Sequence, residues 1–182
     1  MRLGVGAFVS AMLCLAGVPC PVKASNHIRH VSGALTCGDA VLMNETAYLE
    51  IPDADRQVLS QRLSLRNAMT SRLVELKTDG RYVRKAIAGN RKVLDAAIEG
   101  WACIKSDQGV TYFYLLYYCT SGDEAGICAP GQVEWLHVLR ENGASVTKGA
   151  RHARISSEDA LVYKSLGLDG AIEAVKLKGI DE

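Results

Sequence analysis

The pattern of apolar and polar positions along this chain has one dominant feature, the run Val-Thr-Tyr-Phe-Tyr-Leu-Leu-Tyr-Tyr-Cys-Thr over residues 110–120. Its aromatic and β-branched residues suit a pleated strand. Successive side chains of a strand point to opposite faces, which puts Tyr112, Tyr114, Leu116 and Tyr118 on one side and Phe113, Leu115, Tyr117 and Cys119 on the other. Neither set is polar enough to lie in water. The run is therefore expected to be the central strand of a sheet covered on both faces.

The segments around it carry the punctuation of an antiparallel meander. Residues 81–87, the turn Ala88-Gly89-Asn90, residues 91–105 and the turn Asp107-Gln108-Gly109 lead into the central run. Within 91–105, Leu94, Ala97, Ile98 and Trp101 would also form a helical stripe. Gly100 is costly inside a helix, however, and Trp101-Ala102-Cys103-Ile104 suits a sheet, so a strand is expected from about Ala96. Beyond the central run, residues 132–140 alternate as a strand, and Asn142-Gly143 signals a hairpin with a short return limb over 144–147. Residues 46–51 are β-like and stop at Pro52.

Two segments predict helices. Asp53 and Asp55 stand where a helix N-terminus favours carboxylates, and Val58, Leu65, Met69, Leu73 and Leu76 recur at helical intervals with arginines between, giving a helix over 55–76. A second helix starts near Ser157 and ends at Gly167, and residues 171–178 form a strand or a last helical turn. Residues 25–36 are polar and predict a flexible arm. The expected fold is α+β: an antiparallel meander of about four to six strands packed against one helix from the N-terminal half and a short C-terminal helix, in a single domain over 25–182.

The first residues add a compartment. Arg2, the apolar run over 3–18 and Val22-Lys23-Ala24 have the order of a secretory signal peptide over 1–24. The run is shorter than the roughly 20 residues of a spanning helix, so no membrane anchor is expected after cleavage. Removing Arg2 and Lys23 from the 21 basic residues leaves 19 against 20 acidic ones. That near-neutral balance argues against non-specific nucleic-acid binding.

Cleavage also removes Cys14 and Cys20 and leaves Cys37, Cys103, Cys119 and Cys128, an even number in an oxidising compartment. None of their spacings is the short kind that places two thiolates on one zinc ion. A turn centred near Gln108 sets Cys103 opposite Phe113, which puts Cys119 roughly 20 Å away at ~3.3 Å per residue, too far for a bridge. The segment between Cys119 and Cys128 is centred on Asp123 and Glu124, so a hairpin there brings those two cysteines together. The expected disulfides are Cys37–Cys103 and Cys119–Cys128.

Catalytic signatures do not emerge: there is no nucleophile elbow, phosphate cradle, dinucleotide glycine motif or HExxH. His137 is the best candidate for a general base, but Glu134 three residues away on a strand faces the other side. His27 and His30 form an HxxH pair in a segment expected to be solvated. No enzyme, metal or cofactor is expected. In size, export and cysteine usage the chain is similar in type to bacterial periplasmic inhibitors of cell-wall hydrolases and to immunity proteins against imported toxins, a likeness that assigns no residues.

The expected function is thus that of a small periplasmic or secreted binding protein acting on another envelope protein, such as a basic cell-wall hydrolase or a toxin. Its expected binding site is the acidic loop 120–127, with Asp123 and Glu124 at the tip and Tyr118 and Trp135 as apolar anchors. A small-ligand carrier or structural envelope protein is the alternative.

N-terminal sequencing of the protein recovered from a periplasmic or culture fraction should give a start near Ser25, and peptide mapping without reduction should join Cys119 to Cys128. A retained Met1 would refute the compartment, and a Cys103–Cys119 peptide would refute the strand register.

Overall fold

A computed structural model describes residues 25–67, 71–120, 134–146 and 157–180. The first sheet is an antiparallel meander of β1 (His27–Cys37), β2 (Ala40–Glu50), β3 (Gln57–Asn67) and β4 (Leu73–Leu76), in that spatial order. A short hairpin follows, β5 (Tyr82–Lys85) with β6 (Arg91–Leu94). The second sheet holds β7 (Ala96–Lys105), β8 (Thr111–Cys119), β9 (Glu134–Arg140) and β10 (Lys178–Gly179) in the order β10-β7-β8-β9, all antiparallel. Two short helices, α1 (Ser157–Ser165) and α2 (Asp169–Glu173), complete the described chain.

β8 lies between β7 and β9, and its two side-chain sets meet different layers. Phe113, Leu115, Tyr117 and Cys119 join Cys37, Leu42, Leu63 and Leu65 of the first sheet in one core with Ile98, Trp101, Trp135 and Leu139. Tyr112 and Tyr114 join Ala102, Ile104, Val138, Tyr163 and Leu168 in a second core, beneath α1 and α2. The order of layers is sheet, sheet, helices. At the contact between β1 and the second sheet, a Cβ on Gly33 would stand 2.9 Å from the Ile180 carbonyl oxygen and 3.1 Å from the Trp101 ring, so only glycine admits this approach.

The expected meander, the strand from Ala96 and the pairing of Cys103 with Phe113 are all present. The expected helix over 55–76 is not: this stretch forms β3 and β4. Leu63 and Leu65 alternate strictly with Arg62, Ser64 and Arg66, and that period of two places the leucines in the core while Arg62 and Arg66 point to solvent. The helical stripe was a coincidence of wider spacing, overruled by eleven residues of ladder available on β2. The expected arm over 25–36 is likewise a strand. Its Val31, Gly33, Leu35 and Cys37 alternate with more exposed Ser32, Ala34 and Thr36, and the Gly38-Asp39 turn folds it onto β2. The fold is thus mostly β, with ten strands among the described residues where four to six were expected.

One disulfide lies within the described residues, Cys37–Cys103, joining the end of β1 to β7 with Cα atoms 5.3 Å apart. Two were expected. Cys119 is not a free thiol, and its expected partner Cys128 lies outside the described residues. A second tie between the sheets is polar. The side-chain amide of Gln61 on β3 donates from Nε2 to the Ile98 carbonyl at 2.8 Å and accepts the Ile98 N–H at Oε1 at 2.8 Å. Ile98 stands at the β-bulge of β7, so Gln61 supplies, from the other sheet, the pairing that a neighbouring strand would otherwise provide.

Gln61→Ala leaves both backbone groups of Ile98 without this partner. Urea unfolding should show a loss of about 2 to 4 kcal/mol, against less than about 0.5 kcal/mol for Arg66→Ala on the exposed face of the same strand.

Candidate functional site

The candidate region lies at the end of the second sheet where β8 finishes and β9 begins. Chain 77–81, which leaves β4, is laid across this end. Asp79 on that segment accepts the Trp135 Nε1–H at Oδ2, 3.0 Å away, and the same oxygen stands 2.8 Å from His137 Nε2, outside hydrogen-bond alignment. The His137 contact is an ion pair only when the imidazole is protonated. Tyr117, opposite Trp135 in the ladder, stacks on it with ring centroids 5.4 Å apart and lies 5.1 Å from the His137 ring.

Burial, with the Asp79 carboxylate adding to it, pushes the Tyr117 phenol well above its ordinary value. Tyr114, on the helix side of β8, is pushed up to about 12, first by burial and then by Tyr163 and Glu134. Glu134 does not share this cluster. Trp135, His137 and Leu139 face the other sheet whereas Glu134 lies across from Tyr118 on the opposite face, as the strand period requires.

The next residue, Gly80, passes so close to β7 that a Cβ would stand 2.2 Å from the Ala96 carbonyl oxygen. Arg81 then pairs with Asp95, its N–H donating to Asp95 Oδ1 at 2.7 Å and its carbonyl accepting the Asp95 N–H at 2.9 Å. Asp95 is fully buried, and its own carbonyl accepts the Thr120 N–H at 2.8 Å. The Thr120 hydroxyl donates to the Leu94 carbonyl, and the Thr120 carbonyl accepts from Lys85 Nζ, which also donates to Gln57 Oε1 at 2.8 Å. Every hydrogen-bonding group of Thr120 is thereby engaged by the β5–β6 hairpin, its exit segment or the start of β7. The point from which the acidic stretch departs is anchored.

Of the expected site residues, Tyr118 is exposed at 36%, at the end of β8 beside Glu134. Trp135 is 4% exposed and points into the core, where its indole N–H is bound by Asp79. It is a structural residue and offers no surface anchor. Asp123, Glu124 and Cys128 lie outside the described residues. His27 and His30 occupy opposite faces of β1 and do not form a ligand pair. Sequence reasoning missed Asp79, Asp95 and Lys85. The signal for Asp95 was a lone carboxylate inside the apolar run Val93-Leu94-Asp95-Ala96-Ala97-Ile98; Asp79 was hidden in Thr78-Asp79-Gly80, where a turn explains it equally well.

Among the described residues no helix is long and apolar enough to cross a membrane, and no group of three or more His, Cys, Asp and Glu side chains is placed to hold a metal ion. Comparison with family models, with curated proteins and with solved structures finds no match to this chain.

Because folding raises the Tyr114 and Tyr117 pKa values, the native state holds their protons more tightly than the unfolded chain does. This contribution to stability is complete below pH 10; for Tyr114 it is lost as pH rises from about 10 through about 12, and for Tyr117 it is lost higher still. A phenolate absorbance titration should leave two phenols silent at pH 11 in the native protein and release them on unfolding. Phe at position 117 should remove part of the alkaline loss.

Proposed function

We propose that this chain is an exported binding protein of the inhibitor or immunity type, acting on another envelope protein through the end of the second sheet. The observation that most supports this reading is the anchored Thr120 beside the exposed Tyr118. A segment leaving a fixed root loses less conformational freedom on binding than one leaving a mobile root, so more of its contact energy appears as affinity. Tyr118 contributes apolar area with a polar tip next to that root. The stretch that follows carries Asp123 and Glu124 between glycines, a charge arrangement suited to Arg and Lys on a basic partner such as a cell-wall hydrolase or a toxin. The Cys37–Cys103 bond supports export, since disulfides persist in oxidising compartments.

Non-catalytic action is part of the proposal. His137 is the histidine the sequence put forward as a base, and its side chain is 12% exposed on the core side of β9, with Nε2 2.8 Å from Asp79 Oδ2.

The test is capture of envelope proteins by the purified protein and by two variants. Asp123→Ala with Glu124→Ala should weaken the captured partner about tenfold and flatten the salt dependence of binding, with folding stability unchanged within about 0.5 kcal/mol. Tyr118→Ala should cost about 1 to 2 kcal/mol of binding. Equal capture by parent and variants would remove this end of the molecule as the site.

A further inference from the structure

The outer face of the first sheet carries an open groove of about 600 Å³. Its floor is two neighbouring cross-strand rows, His30–Ala47–Ser60 and Ser32–Glu45–Arg62, with the backbone of Val31, Thr46 and Gln61 between them. Glu75 of β4 and Tyr82 of β5 form its walls. No helix of the described chain covers this face; α1 and α2 are spent on the second sheet.

We propose that this groove is a binding site for a neutral oligosaccharide of two to three pyranose rings. The small side chains Ser32, Ala47 and Ser60 let a flat ring approach the pleated floor. Tyr82 is 58% exposed, and its ring has no stacking or cation–π partner among the described residues, which leaves an aromatic face open to the C–H face of a sugar. Glu45 and His30 likewise make no hydrogen bond or ion pair within the described chain, while Arg62 and Glu75 hold each other at 3.2 Å with further lone pairs and N–H groups facing the groove. Sugar hydroxyls both donate and accept, and this mixture of acceptors and donors matches them.

Charge narrows the ligand class. The groove holds two carboxylates, Glu45 and Glu75, against one guanidinium, Arg62, so phosphates and nucleic acids are disfavoured. An extended peptide is disfavoured on geometric grounds. Peptides that add to sheets pair with an open strand edge, whereas this site is on the face, with β2 at its centre paired on both sides.

Amide chemical-shift titration of the purified protein tests the proposal with chitotetraose, cellotetraose and maltotetraose, each to about 10 mM, and with a lysine tetrapeptide as the cationic alternative. At least one sugar should move Ser32, Glu45, Ser60, Arg62 and Tyr82 saturably. Tyr82→Ala should weaken that binding about tenfold, and Glu45→Gln severalfold, while Arg66→Ala on the same face outside the groove leaves it unchanged. The unperturbed spectrum of core residues such as Phe113 verifies that each variant is folded. Three silent sugars would overturn the proposal, as would saturable binding of the lysine peptide that depends on Glu45 but not on Tyr82. Neither outcome touches the protein-binding end, whose variants lie on the other sheet.

Discussion

The constraint on which this molecule depends is the double-sided apolarity of β8. A strand with Phe113, Leu115 and Tyr117 on one face and Tyr112 and Tyr114 on the other must be enclosed, because either face left in water would forfeit the burial of several large side chains. The fold answers with two unlike covers. A long four-stranded meander lies over one face and two short helices over the other, and each brings its own alternating or clustered apolar residues. The helices alone could not do this. They are short, and the buried residues they bring are Tyr163 of α1 and Leu168 in the link between them.

Stacked sheets joined only by apolar contact can slide, and the links found between these two are directional. The Cys37–Cys103 bond fixes β1 against β7, and the Gln61 amide fixes β3 against the bulge of the same strand. Gln61 also donates to Thr46, whose hydroxyl reaches Asn44, so a short polar row runs through the interior beside the leucines. Such a row is costly where a group goes unmatched, as the buried Asn44 Nδ2 does, and its reward is a single relative position of the sheets.

Both candidate surfaces follow from that rigidity. The end of the second sheet is fastened by Asp79 beneath Trp135 and by Asp95 and Lys85 around Thr120, so Tyr118 is displayed from a fixed frame. On the far face of the first sheet, the regular ladder holds Ser32, Glu45, Ser60 and Arg62 in adjoining rows beneath Tyr82. We propose the one for a protein partner and the other for a polar small ligand.

By itself, the sequence determined the central strand, its two faces and the register that pairs Cys103 with Phe113, because each depends on local period and turn position, and that register left Cys37 as the partner of Cys103 once Cys119 was paired with Cys128. Period and turn chemistry act over a few residues, which is the range sequence reasoning covers well. Tertiary structure decided the state of residues 55–76. The spacing of Val58, Leu65 and Leu73 permits a helix, the alternation around Leu63 and Leu65 permits a strand, and the open ladder of β2 selected the strand. It also decided the site. Trp135 is a surface anchor or a core residue depending on what lies against β9, and Asp79, 56 residues away in the chain, is what lies there. Likewise Gln61 and Ile98, 37 residues apart, carry no mark of their pairing, since it exists only once the two sheets are stacked.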